Sequence, residues 1–293
     1  MNKVFGILLL SLLIALFNIS DSAFAKNWNA GGDASAPTVS KDSGFNKFNK
    51  HGNGWKKHNY RVLNDKSKAR AGVKYQRFEL RAGDCFPEPK WDDCKTDRNR
   101  VEFVAQPNQK PEGQQCYGFS LMLDKTFQAV HPTTTMIGQV HQIDGPRGTY
   151  LGFPSYPQIA SIKVDRKKLQ FIFEQTFGDR NNVKTRQVKK NLADVSDILG
   201  KWTDISFCLN FGDKNIDIWV NGEKKPRINQ PPVRFMPKSI YFKYGIYNTF
   251  VSGYKKRWDK EIPTLIVFYD EVRRGGKATD VDANLNPELR PID

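Results

Sequence analysis

Cysteine is scarce in this 293-residue chain, and most signatures of metal or nucleophile chemistry are missing with it. The four cysteines form no Cys-x-x-Cys pair and stand in no His/Cys cluster, so no zinc site of the usual spacing is present. There is no Gly-x-Ser-x-Gly elbow to expose a serine nucleophile, and no glycine-rich loop of the kind that cradles phosphate. The lack of any repeat at a fixed period argues against a propeller or solenoid. Acidic residues are in deficit, with 31 Asp and Glu against 46 Lys and Arg and a formal net charge of +15. After residues 4–17, no segment is apolar for long enough to cross a bilayer.

What is present begins with a targeting pattern. Lys3, the apolar run 4–17 and Ala23-Phe24-Ala25 fit a charged region, a hydrophobic region and a small-residue cleavage site. We therefore expect a signal peptide over residues 1–25, a mature start at Lys26 and a secreted or periplasmic protein. Lys3 and Asp21 cancel, so the mature chain keeps its charge of +15. Such a field favours polyanions. Export makes an acidic polysaccharide the expected partner, ahead of nucleic acid or membrane lipid.

Residues 26–72 read as a basic, partly flexible N-terminal arm. From Lys26 to Lys74 there are 11 Lys and Arg against three acidic residues, and little to bury before about Asp42. Phe45, Phe48, Trp55 and Tyr60 suggest that its later part packs as an outer strand or binds along a surface.

From Val73 the pattern turns to period two. Phe78 and Leu80 alternate with Arg77, Glu79 and Arg81, and Val101 and Phe103 alternate with Arg98, Arg100 and Glu102. Further strands are expected over residues 117–123, 161–164, 169–176, 202–211, 216–220 and 265–272. Phe211-Gly212-Asp213-Lys214 and Asn221-Gly222-Glu223 supply turns between them. One helix is expected, over residues 189–199, from the spacing of Leu192, Val195 and Leu199. This density of short strands predicts an all-β domain over residues 73–293, a two-sheet β-sandwich of jelly-roll, concanavalin A-like form with a curved groove. A monomer is expected. Cys85 and Cys94 flank a short loop containing Pro87, Pro89 and Trp91, and are expected to form a disulfide. The pairing of Cys116 and Cys208 stays open.

Two stretches carry the chemistry. In Tyr241-Phe242-Lys243-Tyr244-Gly245-Ile246-Tyr247-Asn248, alternation puts Phe242, Tyr244 and Ile246, with Ile240, on one face and Tyr241, Lys243, Gly245 and Tyr247 on the other. In Ile137-Gly138-Gln139-Val140-His141-Gln142, Gln139 and His141 share a face. Each alone also reads as an ordinary solvated sheet face or a hydrogen-bonded structural histidine. Together they resemble the two signature strands of the jelly-roll polysaccharide lyases, the group that includes alginate, glucuronan and heparin lyase I-type enzymes. The likeness runs from about Val73 to Gly275. Its front strands are Gln76-Arg77-Phe78-Glu79-Leu80-Arg81, Gly83-Asp84-Cys85 and Asp97-Arg98-Asn99-Arg100-Val101-Glu102. Its back half is Trp202-Thr203-Asp204-Ile205, Ile218-Trp219-Val220-Asn221-Gly222 and Phe268-Tyr269-Asp270-Glu271-Val272.

The resemblance implies cleavage of a 4-linked acidic polysaccharide, whether glucuronan, alginate-like or heparin-like, by β-elimination. Tyr247 matches the tyrosine that takes and donates the proton, Lys243 the lysine before it, and Gln139 and His141 the Gln-x-His pair. Arg100 best matches the arginine of the Arg-x-Glu strand, with Glu102 following. Alginate lyases usually carry Arg-Ser/Thr-Glu there, whereas Val101 follows Arg100, and Arg77-Phe78-Glu79 is a competing match. Lys243, Arg77, Glu102, Tyr241 and Asn248 are expected to bind substrate.

Removing the hydrogen on carbon 5 of a uronate builds negative charge on the adjacent carboxyl group. An arginine and the Gln139 amide suit that charge. Tyr247, with its pKa expected to be lowered by Lys243 and Arg100, suits proton abstraction and return. His141 is either the base, when proton and leaving group lie on opposite faces, or a neutral donor to the carboxylate when they share one. No cofactor is required. A structural calcium is compatible with the resemblance, Asp270 being a candidate ligand, but no compact loop of alternating carboxylates supports assigning one. Two rival readings stand beside the lyase: a non-catalytic carbohydrate-binding sandwich using its tyrosines and Trp219 as sugar platforms, and a glycoside hydrolase. The Glu-x-Asp-x-x-Glu pattern of sandwich glucanases does not occur.

Overall fold

The computed structural model describes residues 40–88, 91–150 and 153–292. The expected signal peptide and the first part of the arm lie outside the described residues.

The chain forms β1 (Lys47–Lys50), β2 (Tyr60–Asn64), β3 (Lys74–Leu80), the short hairpin strands β4 (Pro87–Glu88) and β5 (Trp91–Asp92), and β6 (Arg98–Gln106). It continues with β7 (Gln114–Leu123), β8 (Thr134–Ile143), the short pair β9 (Gly148–Tyr150) and β10 (Phe153–Ser155), β11 (Ala160–Asp165), β12 (Lys168–Asp179) and β13 (Asn182–Asp194). After the single turn α1 (Val195–Ile198) come β14 (Thr203–Asn210), β15 (Asn215–Val220), β16 (Glu223–Lys224), β17 (Ser239–Thr249), α2 (Val251–Trp258) and β18 (Leu265–Gly275).

Two seven-stranded sheets result, ordered β1-β6-β17-β8-β11-β12-β13 and β16-β15-β14-β7-β18-β3-β2. This is the expected all-β sandwich of jelly-roll form. The reason is period two: Val101, Phe103, Phe242, Tyr244, Ile246, Phe78 and Val267 are all fully buried between the sheets, while their neighbours point outward. Aromatic rings dominate the middle, with Tyr269 centred 5.2 Å from both Phe78 and Tyr244. Their hydroxyls are satisfied, because Tyr269 lies 2.7 Å from the carbonyl oxygens of Ile137 and Gly245 and Tyr244 donates to Gln76 Oε1 at 2.9 Å. Truncating one such ring to alanine costs about 3–5 kcal/mol.

Phe45, Phe48, Trp55 and Tyr60 belong to this core. They carry β1 onto β6 and β2 onto β3, at one edge of each sheet. Packing therefore starts at about residue 43, well before Val73, because four large rings bury too much apolar surface to trail along the outside.

The helix expected over residues 189–199 is corrected: β13 runs to Asp194 and only Val195–Ile198 turns. Leu192 and Val195 are buried and Leu199 partly so, but pairing of β13 with β12 satisfies the backbone up to Asp194, and a bulge at Leu169/Gln170 shifts the phase. Helix α2 was not foreseen, being only eight residues long, with Val251 and Tyr254 packed against the core but none of its residues fully buried. Cys85 and Cys94 are joined, and so are Cys116 and Cys208, which face each other across β7 and β14.

Candidate active site

The outward face of the first sheet lines a groove of about 680 Å³ that crosses β6, β17, β8, β11, β12 and β13. Three strands bring the proposed chemistry together by register. Tyr247 on β17 stands opposite Arg100 on β6, while Lys243 and Tyr241 stand opposite Gln139 and His141 on β8. Against β8 the strand β17 bulges between Tyr244 and Tyr247, which sets Tyr247 opposite Met136, while its pairing with β6 runs unbroken. At the centre of the bulge Gly245 adopts φ +136°, and a Cβ there would lie 2.1 Å from the carbonyl oxygen of Val101. Only glycine fits that conformation and that approach.

Glu102, fully buried, anchors the floor. It accepts from Gln139 Nε2 at 2.6 Å and lies 3.3 Å from Arg100 Nη1 and 3.4 Å from Lys243 Nζ. Arg100 is also gripped by Asp93 through Nε and Nη2, both at 2.7 Å, and its guanidinium lies 3.9 Å from the centre of the Tyr247 ring. Burial opposes the charge of Arg100, yet Asp93, Tyr247 and Glu102 outweigh it and hold the side chain firmly protonated. Three of the five guanidinium N–H groups are committed to these two carboxylates.

Tyr247 accepts a hydrogen bond from Arg98 Nε at 2.8 Å. The expectation that its pKa falls is corrected. Burial pushes the phenol up to about 12, although Arg100 and Arg98 both pull it down.

His141 is neutral: burial, then Lys243 and Arg100, lower its pKa to about 3 against an opposing pull from the Gln142 carbonyl. Its Nδ1 lies 3.3 Å from that carbonyl oxygen, which can only accept, so Nδ1 carries the proton and Nε2 keeps its lone pair.

Three residues expected to bind substrate do not line the groove, Glu102 because it is buried beneath the floor with its oxygens turned to Gln139, Arg100 and Lys243. Arg77 lies on β3 in the other sheet and pairs with Glu79 at 2.5 Å, because Phe78 between them points into the core. Of the two candidates, Arg100 is the one that lines the groove. Asn248, the residue after Tyr247, turns to the buried side, where Thr135 Oγ1 donates to its Oδ1 at 2.7 Å and its Nδ2 donates to Asn99 at 3.0 Å.

Three site residues escaped sequence reasoning. His51 lines the groove just past β1, its pKa pushed well below the usual histidine range by burial, Arg100, Lys243 and His141. It sits in the stretch read as an arm, where Phe45, Phe48, Trp55 and Tyr60 were the hint of an outer strand. Arg98 and Trp91 were visible as residues but not as partners; the guanidinium lies 4.8 Å from the Trp91 ring. Trp91 and Asp93 both come from the loop closed by the Cys85–Cys94 disulfide, and Trp91 Nε1 donates to Asp93 at 3.1 Å.

The candidate calcium ligand does not fit that role. The oxygens of Asp270 accept backbone N–H groups of Arg70 at 2.8 Å, Ala71 at 3.2 Å and Glu271 at 2.8 Å, and Glu271 is paired with Arg273 at 2.5 Å. Among the described residues no group of three or more His, Cys, Asp or Glu side chains converges on a point.

The fold has known counterparts. The endo-β-1,4-glucuronan lyase of the fungus Trichoderma reesei superposes with a TM-score of 0.56 at 18% identity, over 85% of this chain and 98% of that one. The family 7 alginate lyase A1-II′ gives 0.49 at 12% identity, over 76% and 85% of the two chains. The marine PL7 alginate lyase AlyA1 of Zobellia galactanivorans gives 0.41 at 13%, over 69% and 77%. At these identities the likeness is one of fold. No curated protein matches the sequence. A sequence profile described as polysaccharide lyase matches residues 40–273, most of the chain, and the protein accordingly belongs to the polysaccharide lyase family.

Proposed function

We propose that this lyase is an exported enzyme that cleaves a 4-linked uronic-acid polysaccharide by β-elimination, leaving an unsaturated uronate at the new non-reducing end. The observation that carries the reading is the convergence of a phenol, a neutral imidazole, an amide and several cations in one groove. Glucuronan is the first polymer to try, since the glucuronan lyase spans the largest share of this fold among the relatives named above.

The chemistry follows from the residues. Lys243, the Arg100 guanidinium and the second N–H of Gln139 neutralise the substrate carboxylate, so that charge developing at carbon 5 spreads onto it. Glu102 fixes all three in place. In glucuronate the carbon-5 hydrogen and the leaving oxygen share a face, so Tyr247 takes the proton as phenolate and returns it to the glycosidic oxygen. When they lie on opposite faces, the lone pair on His141 Nε2 takes the proton and Tyr247 gives its own. The bond from carbon 4 to the glycosidic oxygen breaks in both cases.

Two disulfides and the targeting pattern support export. No helix among the described residues is long and apolar enough to cross a membrane.

A panel of glucuronan, alginate and heparin-like chains, read for unsaturated product by ultraviolet absorbance, tests the substrate class. Tyr247→Phe keeps the ring against Arg100 and deletes the acid and base. Its turnover is expected to fall by about 10²–10⁴-fold or more, with little change in polysaccharide binding. Near-normal product formation by this variant would sink the mechanism.

A further inference from the structure

The groove continues past the reacting cluster. Beyond β8 it runs over β11, β12 and β13, where Lys163, Gln170, Glu174, Gln187 and Lys189 face it. Lys163 is the buried cation of this half. Its side chain is only 13% exposed, and among the described residues its one ion-pair partner is Glu174, 3.9 Å away and beyond hydrogen-bond range. Glu174 Oε1 meanwhile accepts from Gln187 Nε2 at 2.8 Å. A cation this buried loses solvation that a carboxylate at such a distance does not restore. An anion entering the groove would restore it.

The register locates this cation relative to the chemistry. Tyr247 and Lys163 both stand opposite Met136, one from each side of β8. Two strand spacings separate them, roughly 10 Å, which is the length of a disaccharide in an extended chain. In an extended 4-linked chain each sugar is flipped relative to the last, so units two apart present their carboxylates on the same side. Lys243 and Gln139, which hold the reacting carboxylate, stand in register with Ser161, two residues before Lys163, so a chain crossing the strands obliquely brings the carboxylate of the unit two places along toward Lys163.

We propose that Lys163, with Lys189 beside it, forms a carboxylate subsite that binds the uronate two units from the one being cleaved. The proposal rests on the uronate reading of the groove and adds to it a length requirement and a second point of charge recognition.

Calorimetric binding of a 4-linked glucuronate hexasaccharide to the Tyr247→Phe enzyme tests it without turnover. Adding Lys163→Met is expected to raise Kd about tenfold or more, the loss of a hydrogen bond between charged groups, and Lys163→Arg to recover most of it. Adding Glu174→Gln is expected to leave binding as tight or tighter, since it removes the carboxylate that competes for Lys163. An unchanged Kd in a folded Lys163→Met protein would overturn the subsite. If that variant fails to fold, Glu174→Gln decides: weaker binding would mark Lys163 and Glu174 as a structural pair. Absence of unsaturated product from the unaltered enzyme would count against the elimination, and a Kd shift in the same protein would still establish the subsite.

Discussion

Tyr247 and His141 illustrate how burial sets chemistry at the scale of single residues. Burial holds the phenol protonated up to about pH 12 while Arg100 and Arg98 favour the phenolate. If Tyr247 is the base, kcat/KM should climb through the neutral and alkaline range, because the phenolate fraction grows with each step of pH below that pKa. A profile flat above neutrality would assign the base to His141 instead. Arg98→Gln removes the donor at 2.8 Å, so the rise should move to higher pH, with Arg98→Lys in between. A purely structural role for Arg98 would lower activity without displacing the profile. His141 makes a stability prediction of opposite sense. A histidine kept neutral in the fold contributes its stability above its unfolded pKa of roughly 6.5. That contribution is lost as pH falls toward the folded value of about 3. Thermal melting should therefore drop between these limits, and His141→Asn should flatten the drop.

Among the elements, β17 and the β4–β5 hairpin do the positioning. The bulge in β17 against β8 sets Tyr247 opposite Met136, and Tyr269 from the opposite sheet caps the Gly245 carbonyl at its centre. Gly245→Ala meets both a positive φ and a backbone oxygen at 2.1 Å. We expect a loss of about 1–3 kcal/mol or more in denaturant unfolding, together with a fall in kcat as Tyr247 shifts; a variant as stable and active as the parent would contradict this account of the bulge. The hairpin contributes Trp91 against Arg98 and Asp93 against Arg100, so the Cys85–Cys94 disulfide restrains the loop that orients both arginines. At the far edge of the same sheet β13 presents Lys184, Arg186 and Lys190, charges of the kind that discourage pairing with another strand.

For the molecule as a whole the formal charge is +15, and the groove shares its sign. Arg98, Arg100, Lys163, Lys189 and Lys243 line one groove with only Asp165 and Glu174 to balance them at its surface. Affinity for an acidic polysaccharide should therefore fall steeply with added salt, as charges are screened over a Debye length of about 8–10 Å. A neutral glucan should bind poorly at every ionic strength. Equal, salt-insensitive binding of both would remove charge as the basis of recognition.

Some of this was written in the chain and some was not. Period-two alternation, a local property of each strand, determined the all-β class, most strand positions, and the groove-facing placement of Lys243, Tyr247, Gln139 and His141. It also separated Val101 and Phe103 from Arg100 and Glu102. Local pattern does not encode which strands become neighbours. Pairing across the sheets decided that Arg100, not Arg77, meets Tyr247, that Cys116 joins Cys208, and that His51 completes the groove from a stretch with an arm-like composition. Protonation likewise depends on burial and on partners far along the chain. The sequence showed two cations near Tyr247 and suggested a lowered pKa; the packed sandwich removes the phenol from water, and that desolvation outweighs them.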